Sequence, residues 1–220
     1  MASKGIFGKL PAHGDFVQRN LPGSFITPWD EWLQRAVHGV REVIGEQWLD
    51  YYLTSPIWRF AFSAGVIDAH AWSGILVPSV DSVGRYFPVT LAASRPSTES
   101  PFSLMRDDTW YQALSDLAIE ALQHSLQVDQ VLARFPELSS RPPAVTCEPQ
   151  TDDVITLSGG STPADCYPML LDKLLEKDMR SFSLWWCSGS QHLAPTTKVT
   201  AGLPDASVYS SMLGAPEFHW

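Results

Sequence analysis

His13-Gly14-Asp15 and Asp68-Ala69-His70 each set an imidazole within two residues of a carboxylate. Such pairs can serve as part of a general base or a metal site. They also arise as polar contacts that only hold a loop. Cys147, Cys166 and Cys187 are odd in number and form no C-x-x-C pair. They predict reduced, mostly buried thiols rather than a disulfide framework or a zinc ribbon. Gly5-x-x-Gly8-Lys9 falls short of a phosphate loop, which needs four residues between its glycines and a Ser or Thr after the Lys. Here two residues intervene and Leu10 follows. The chain holds no G-x-S-x-G, H-E-x-x-H, S-x-x-K or G-x-G-x-x-G. The readable signatures of hydrolases, metalloproteases, β-lactamases and dinucleotide binders are therefore missing. No catalytic residue, metal or cofactor is expected. Asp107-Asp108 reads as the charge at a helix start and Asp152-Asp153 as a solvated loop.

The elements that must position these groups follow from periodicity. Residues 5–10 read as a short strand closed by Pro11, with a loop around Gly14. Thr27-Pro28-Trp29-Asp30 predicts a helix start with Thr as N-cap. Trp29, Trp32, Leu33, Ala36, Val37 and Val40 mark one face of that helix, which Gly39 and Gly45 weaken before a change of direction at Trp48. Strands are expected at Trp58–Phe62, Gly74–Val77, Tyr86–Leu91 and Ser181–Trp186, in one sheet. Pro88 suggests an edge position or a bulge for the third, and Asp81-Ser82-Val83-Gly84-Arg85 reads as a turn. Trp185-Trp186 points one indole to each side of its strand. A long helix begins near Thr109 and repeats its pattern through Val128, Val131, Leu132 and Phe135 up to Pro136. The proline-rich stretch 136–168 is expected to be irregular, with Val154–Leu157 its only strand. Leu170, Leu171, Leu174 and Leu175 predict a short helix. The tail from Gln191 reads as loop with a short helix at Val208–Leu213.

With 220 residues, one domain spanning 1–220 is the simplest reading, and its core needs no metal or disulfide. The excess of 24 Asp and Glu over 15 Lys and Arg, a net charge of −9, argues against nucleic acid or an anionic membrane as the main partner. No apolar run reaches the length of a membrane helix, and the apolar stretch near Met1 is too short for a signal-peptide core. A cytoplasmic protein is expected. The fold class expected is a three-layer α/β sandwich whose mixed, largely antiparallel sheet is flanked by helices.

Gly8-Lys9-Leu10-Pro11-Ala12-His13-Gly14-Asp15-Phe16-Val17 and Gly84-Arg85-Tyr86-Phe87-Pro88-Val89, with Ser183-Leu184-Trp185-Trp186 and Gly202-Leu203-Pro204, resemble the TagF family, also called ImpM. Its members are accessory proteins of bacterial type VI secretion. The resemblance runs nearly end to end and is densest over 5–91; segment 136–168 matches nothing in it. It implies a three-layer α/β fold and a cytoplasmic, post-translational repressor. The implied partner is the forkhead-associated scaffold protein of the apparatus. Some relatives carry the domain fused to a PP2C-type protein phosphatase.

The residues expected at a partner surface are Lys9, Pro11, His13, Gly14, Asp15, Phe16, Arg85 and Tyr86. Pro11 would stiffen the strand exit, and Gly14 would supply a positive φ. Arg85 would meet either Asp15, pinning two loops together, or a carboxylate of the partner. A non-enzymatic regulatory module is the leading expectation. The rivals are a structural adaptor of the secretion machine and an enzyme of unrecognised class using His13 and Asp15.

Overall fold

The structure, a computed structural model, describes residues 3–137, 145–148 and 154–215. Its strands are β1 (Lys4–Gly8), β2 (Val17–Arg19), β3 (Trp58–Phe62), β4 (Ala71–Val77), β5 (Val89–Arg95), β6 (Val145–Cys147), β7 (Leu157–Gly159), β8 (Phe182–Cys187) and β9 (Thr196–Ala201). Its helices are α1 (Gly23–Ile44), α2 (Trp48–Leu53), α3 (Pro101–Met105), α4 (Asp108–Gln123), α5 (Val128–Ala133), α6 (Tyr167–Met179) and α7 (Ala206–Met212). Seven strands form one sheet in the order β2-β1-β5-β4-β3-β8-β9, and every neighbouring pair is antiparallel. The sheet expected to be mixed is antiparallel throughout its described pairings.

Alternation along the strands builds the layers. Trp58, Phe60 and Phe62 of β3 join Trp72, Leu76 and Trp185 on the face covered by α1, α2 and α7. Ile75, Val77, Leu91 and Ala93 face the other way, against α4 and α5. Ala61, Phe182 and Leu184 lie beside them under α3 and α6. The side chains of a strand point alternately to opposite faces, so each central strand feeds two cores at once.

Helix α1 starts a turn earlier than Thr27. Phe25 and Ile26 donate their backbone N–H groups to Pro22, leaving Pro28 inside the helix. Burial of Phe25, whose ring lies 4.3 Å from that of Trp72, draws this first turn onto the sheet. The expected apolar face of α1 is buried at all six of its positions. Gly45, at φ +61°, ends the helix, and a short 3₁₀ turn leads into α2. Strand β4 begins at Ala71 rather than Gly74. Its Gly74 is needed for close approach, since a Cβ there would stand 2.3 Å from the Leu91 carbonyl oxygen and 2.6 Å from Phe60.

Strand β5 begins at Val89, not Tyr86, and is interior, between β1 and β4. Pro88 has no N–H for a ladder, so pairing starts just beyond it. Tyr86 makes only an isolated bridge to Val80. Asp107 caps α4, its carboxylate accepting from the Trp110 amide. The short helix α3 precedes it, in a segment for which the sequence predicts no element. Within 136–168 the strand lies at Leu157–Gly159, paired in a small hairpin with Val145–Cys147. Asp152-Asp153 falls outside the described residues. The tail holds a full strand, β9, in addition to the expected helix. Cys187 is buried, but Cys147 and Cys166 are half-exposed, so the expectation of mostly buried thiols fails for two of three. No described helix is long and apolar enough to cross a membrane.

Candidate functional site

The two segments densest in the family resemblance pack against each other at the β1–β5 end of the sheet. Gly8, at φ +129°, lets the exit of β1 pass under Pro88; a Cβ there would stand 2.1 Å from the Pro88 carbonyl oxygen. Beyond it, Ser79 donates its hydroxyl to the Lys9 carbonyl at 2.6 Å, and the Ser82 amide donates to the His13 carbonyl at 2.9 Å. Phe87 meets Phe7 and Phe16 edge-on, with ring centroids 6.5 and 4.9 Å away.

At the centre lies Asp81, whose side chain is fully excluded from solvent. One carboxylate oxygen accepts from Lys9 Nζ at 2.6 Å and Arg85 Nε at 2.7 Å. The other accepts from the backbone amides of Arg85 at 2.9 Å and Val83 at 3.1 Å. Burial alone would raise this carboxyl, but hydrogen bonds from Lys9 and from the backbone and side chain of Arg85 hold it well below the usual carboxylate range. The turn closes through the Gly84 amide to the Asp81 carbonyl, with Gly84 at φ +86°.

The expected site residues divide into those that build this arrangement and those that show on its surface. Lys9 is buried, so its ammonium is committed to Asp81, with the Phe16 ring 5.1 Å away, and is withheld from a partner. Arg85 does not meet Asp15. Its Nε goes to Asp81 and its Nη2 to the Gly14 carbonyl, while its side chain stays 56% exposed. That exposure leaves it able to meet a second carboxylate. Gly14 is not among the positive-φ glycines; that conformation is taken by Gly8 and Gly84 instead. Tyr86 turns away from the cluster, toward Trp48 and Tyr52. Pro11 is half-buried, whereas Gly14, Asp15 and Phe16 are exposed. Val83 adds an exposed apolar side chain beside Arg85.

The two imidazole–carboxylate pairs differ: His70 Nδ1 lies 3.3 Å from Asp68 Oδ1, whereas His13 turns to another partner. His13 Nε2 accepts the Val128 amide at the start of α5, at 3.1 Å. Among the described residues, Asp15 accepts only the amide of its neighbour Phe16. Asp68 accepts from Trp72 Nε1, the Ser24 hydroxyl and the His70 amide, which hold it below its ordinary value against a partial burial that acts in the opposite sense. Here the carboxylate bonds serine and histidine separately. Among the described residues no hydroxyl hydrogen-bonds either imidazole, as a nucleophile–base pair would require. Among the described residues, no three His, Cys, Asp or Glu side chains come together to hold a metal. The sequence reading missed Asp81 as the organising residue. The local signal was an Asp at the start of a turn with Gly three residues on, which fits a side chain bonding its own following amides.

The later segments are joined in the same way. The Ser183 hydroxyl donates to the Gly202 carbonyl at 2.7 Å, and Trp32 Nε1 donates to the Pro204 carbonyl at 2.6 Å. Trp185 is buried in the core beneath α1, and Trp186 lies half-buried on the opposite face against Tyr111. A comparison with curated proteins finds no match. Among solved structures, the chain is similar to PA0076 from Pseudomonas aeruginosa PAO1, at 33% identity and a TM-score of 0.83 over 99% of this chain and 97% of that one. The model of the TagF N-terminal domain, type VI secretion system-associated, matches residues 5–138. A match over more than half of the chain, together with the packing of its family-resembling segments on one another, carries the conclusion that the chain belongs to the TagF family of type VI secretion-associated proteins.

Proposed function

We propose that this protein represses type VI secretion after translation, in the cytoplasm, by binding a forkhead-associated scaffold protein of the apparatus, and that it catalyses no reaction. The observation that carries the reading is the outer rim of the Asp81 cluster. Gly14, Asp15, Phe16, Val83 and Arg85 are exposed on two loops whose inner sides are fixed by buried bonds. Loops held by a rigid sheet are where binding residues concentrate, and a rim fixed in advance loses little entropy on docking. Two exposed apolar side chains flank a guanidinium and a carboxylate, a pattern suited to a protein partner. His13 has its Nε2 lone pair occupied, which speaks against the rival role as a base.

Binding of this kind works by occupancy: it lowers the scaffold free to assemble, so secretion falls in proportion to the amount of this protein. The test measures scaffold affinity and melting temperature together for Val83→Asp and Asp15→Arg. Both substitutions are on the exposed rim and should weaken capture at least about tenfold with the melting temperature unchanged. Repression that persists once scaffold binding is lost would overturn the mechanism.

A further inference from the structure

We propose that the outer edge of β9 pairs with the same edge of a second copy, joining two sheets into one antiparallel sheet about a two-fold axis at Val199. The sheet has two edges. β2 offers three residues, whereas β9 offers six and, among the described residues, has a partner only in β8. An unpaired strand of this length is a template for another strand.

The ladder fixes which residues face outward. The Gly202 amide donates to the Ser181 carbonyl, which makes residues 181 and 202 a hydrogen-bonded pair in the frame where Phe182 opposes Ala201. Antiparallel ladders alternate bonded and non-bonded pairs. Thr200, Lys198 and Thr196 therefore bond inward to β8, and Thr197, Val199 and Ala201 turn their N–H and C=O groups outward. The exposure pattern agrees, since residues 197, 199 and 201 are the exposed ones. A second copy can pair only through its own outward residues. A two-fold at Val199 meets this requirement, setting Val199 opposite Val199 and Thr197 opposite Ala201.

Chemistry across the axis is self-complementary. The valines meet on one face. Lys198 opposes Thr200 of the second copy rather than its own counterpart, so no like charges face each other. In a chain of net charge −9, residues 188–204 contain no Asp or Glu, so two copies approach here with little repulsion. Val199 opposes Leu184, on the face covered by α3 and α6. On that face α6 carries Tyr167, Leu171 and Leu174 exposed at spacings of four and three, one side of a helix. A two-fold perpendicular to the sheet sets both copies of α6 on that same side.

The test is sedimentation equilibrium across a hundredfold range of concentration, joined to hydrogen exchange. A reversible dimer is expected, with the amides of Thr197, Val199 and Ala201 gaining protection as concentration rises. Lys198 and Thr200 should be protected throughout. Val199→Pro removes only an outward N–H, and Val199→Asp sets two carboxylates at the axis; each should raise the dissociation constant about tenfold or more with the melting of the monomer little changed. A wild type that stays monomeric overturns the proposal, including one that captures an extended peptide at β9. A dimer that survives both substitutions overturns it as well.

Discussion

Asp81 takes four donors while its side chain is out of contact with water, and the ion pair beneath it has no solvent to fall back on. Removing one member of such a pair costs more than the pair contributes, because the survivor stays buried and uncompensated. Asp81→Asn should therefore lower the melting temperature by on the order of 10 °C, as read by thermal scans. Because this carboxyl sits below its unfolded value, its stabilising contribution is present at neutral pH and is lost as pH falls below about 4. Asp172 on α6 behaves in the opposite sense. It is buried against the start of α3, Oδ1 has no hydrogen-bond partner among the described residues, and desolvation raises its pKa to about 7 against the opposing pull of the Ser100 hydroxyl and the Phe102 amide. The folded chain holds this proton more tightly than the unfolded one. Its contribution is complete below about pH 4 and lost as pH rises through about 7. Asp172→Asn should stabilise the protein by on the order of 2–4 kcal/mol at pH 8 and change little at pH 3, measured by denaturant titration at both values.

At the scale of elements, β4 and β5 can lie together only because Gly74 has no side chain. Gly74→Ala would press a methyl into the Leu91 backbone and the Phe60 ring. It should cost about 3 kcal/mol, measured as a fall in the denaturation midpoint. Elements with a regular apolar period were legible: β3 matched to the residue, and the buried stripe of α1 was read from Trp29 onward, although Phe25 and the helix start were not. Strand β9 was not legible because Thr196-Thr197-Lys198-Val199-Thr200-Ala201 carries no apolar alternation. It exists because the edge of β8 presents backbone groups that need partners. The four leucines predict the helix that forms as α6, but Leu171 and Leu174 are exposed while Asp172 is buried. Of the candidate site, the loops were legible, but the Lys9–Asp81 pair, 72 residues apart in sequence, was not. Nothing local in either segment encodes that meeting.

For the whole molecule, a single sheet whose central strands feed the cores on both faces predicts one cooperative unit. Far-ultraviolet circular dichroism and intrinsic fluorescence should report coincident unfolding curves in denaturant, and a second transition would divide the 1–220 unit. The two loops of the proposed scaffold contact sit at the β1 end of this sheet, and β9 closes the opposite end, so the two surfaces can be occupied independently. The layer between α1 and the sheet also has an optical consequence. Trp29 lies 4.7 Å from Trp32 and 6.1 Å from Trp185, the latter pair's planes within 8° of parallel, and Phe25 stacks on Trp29 and lies tilted against Trp72. Indoles this close share their excited states. The folded protein should accordingly show a strong dichroic signal in the tryptophan absorption band and depolarised emission, both vanishing as soon as α1 lifts from the sheet, whether or not its backbone remains helical.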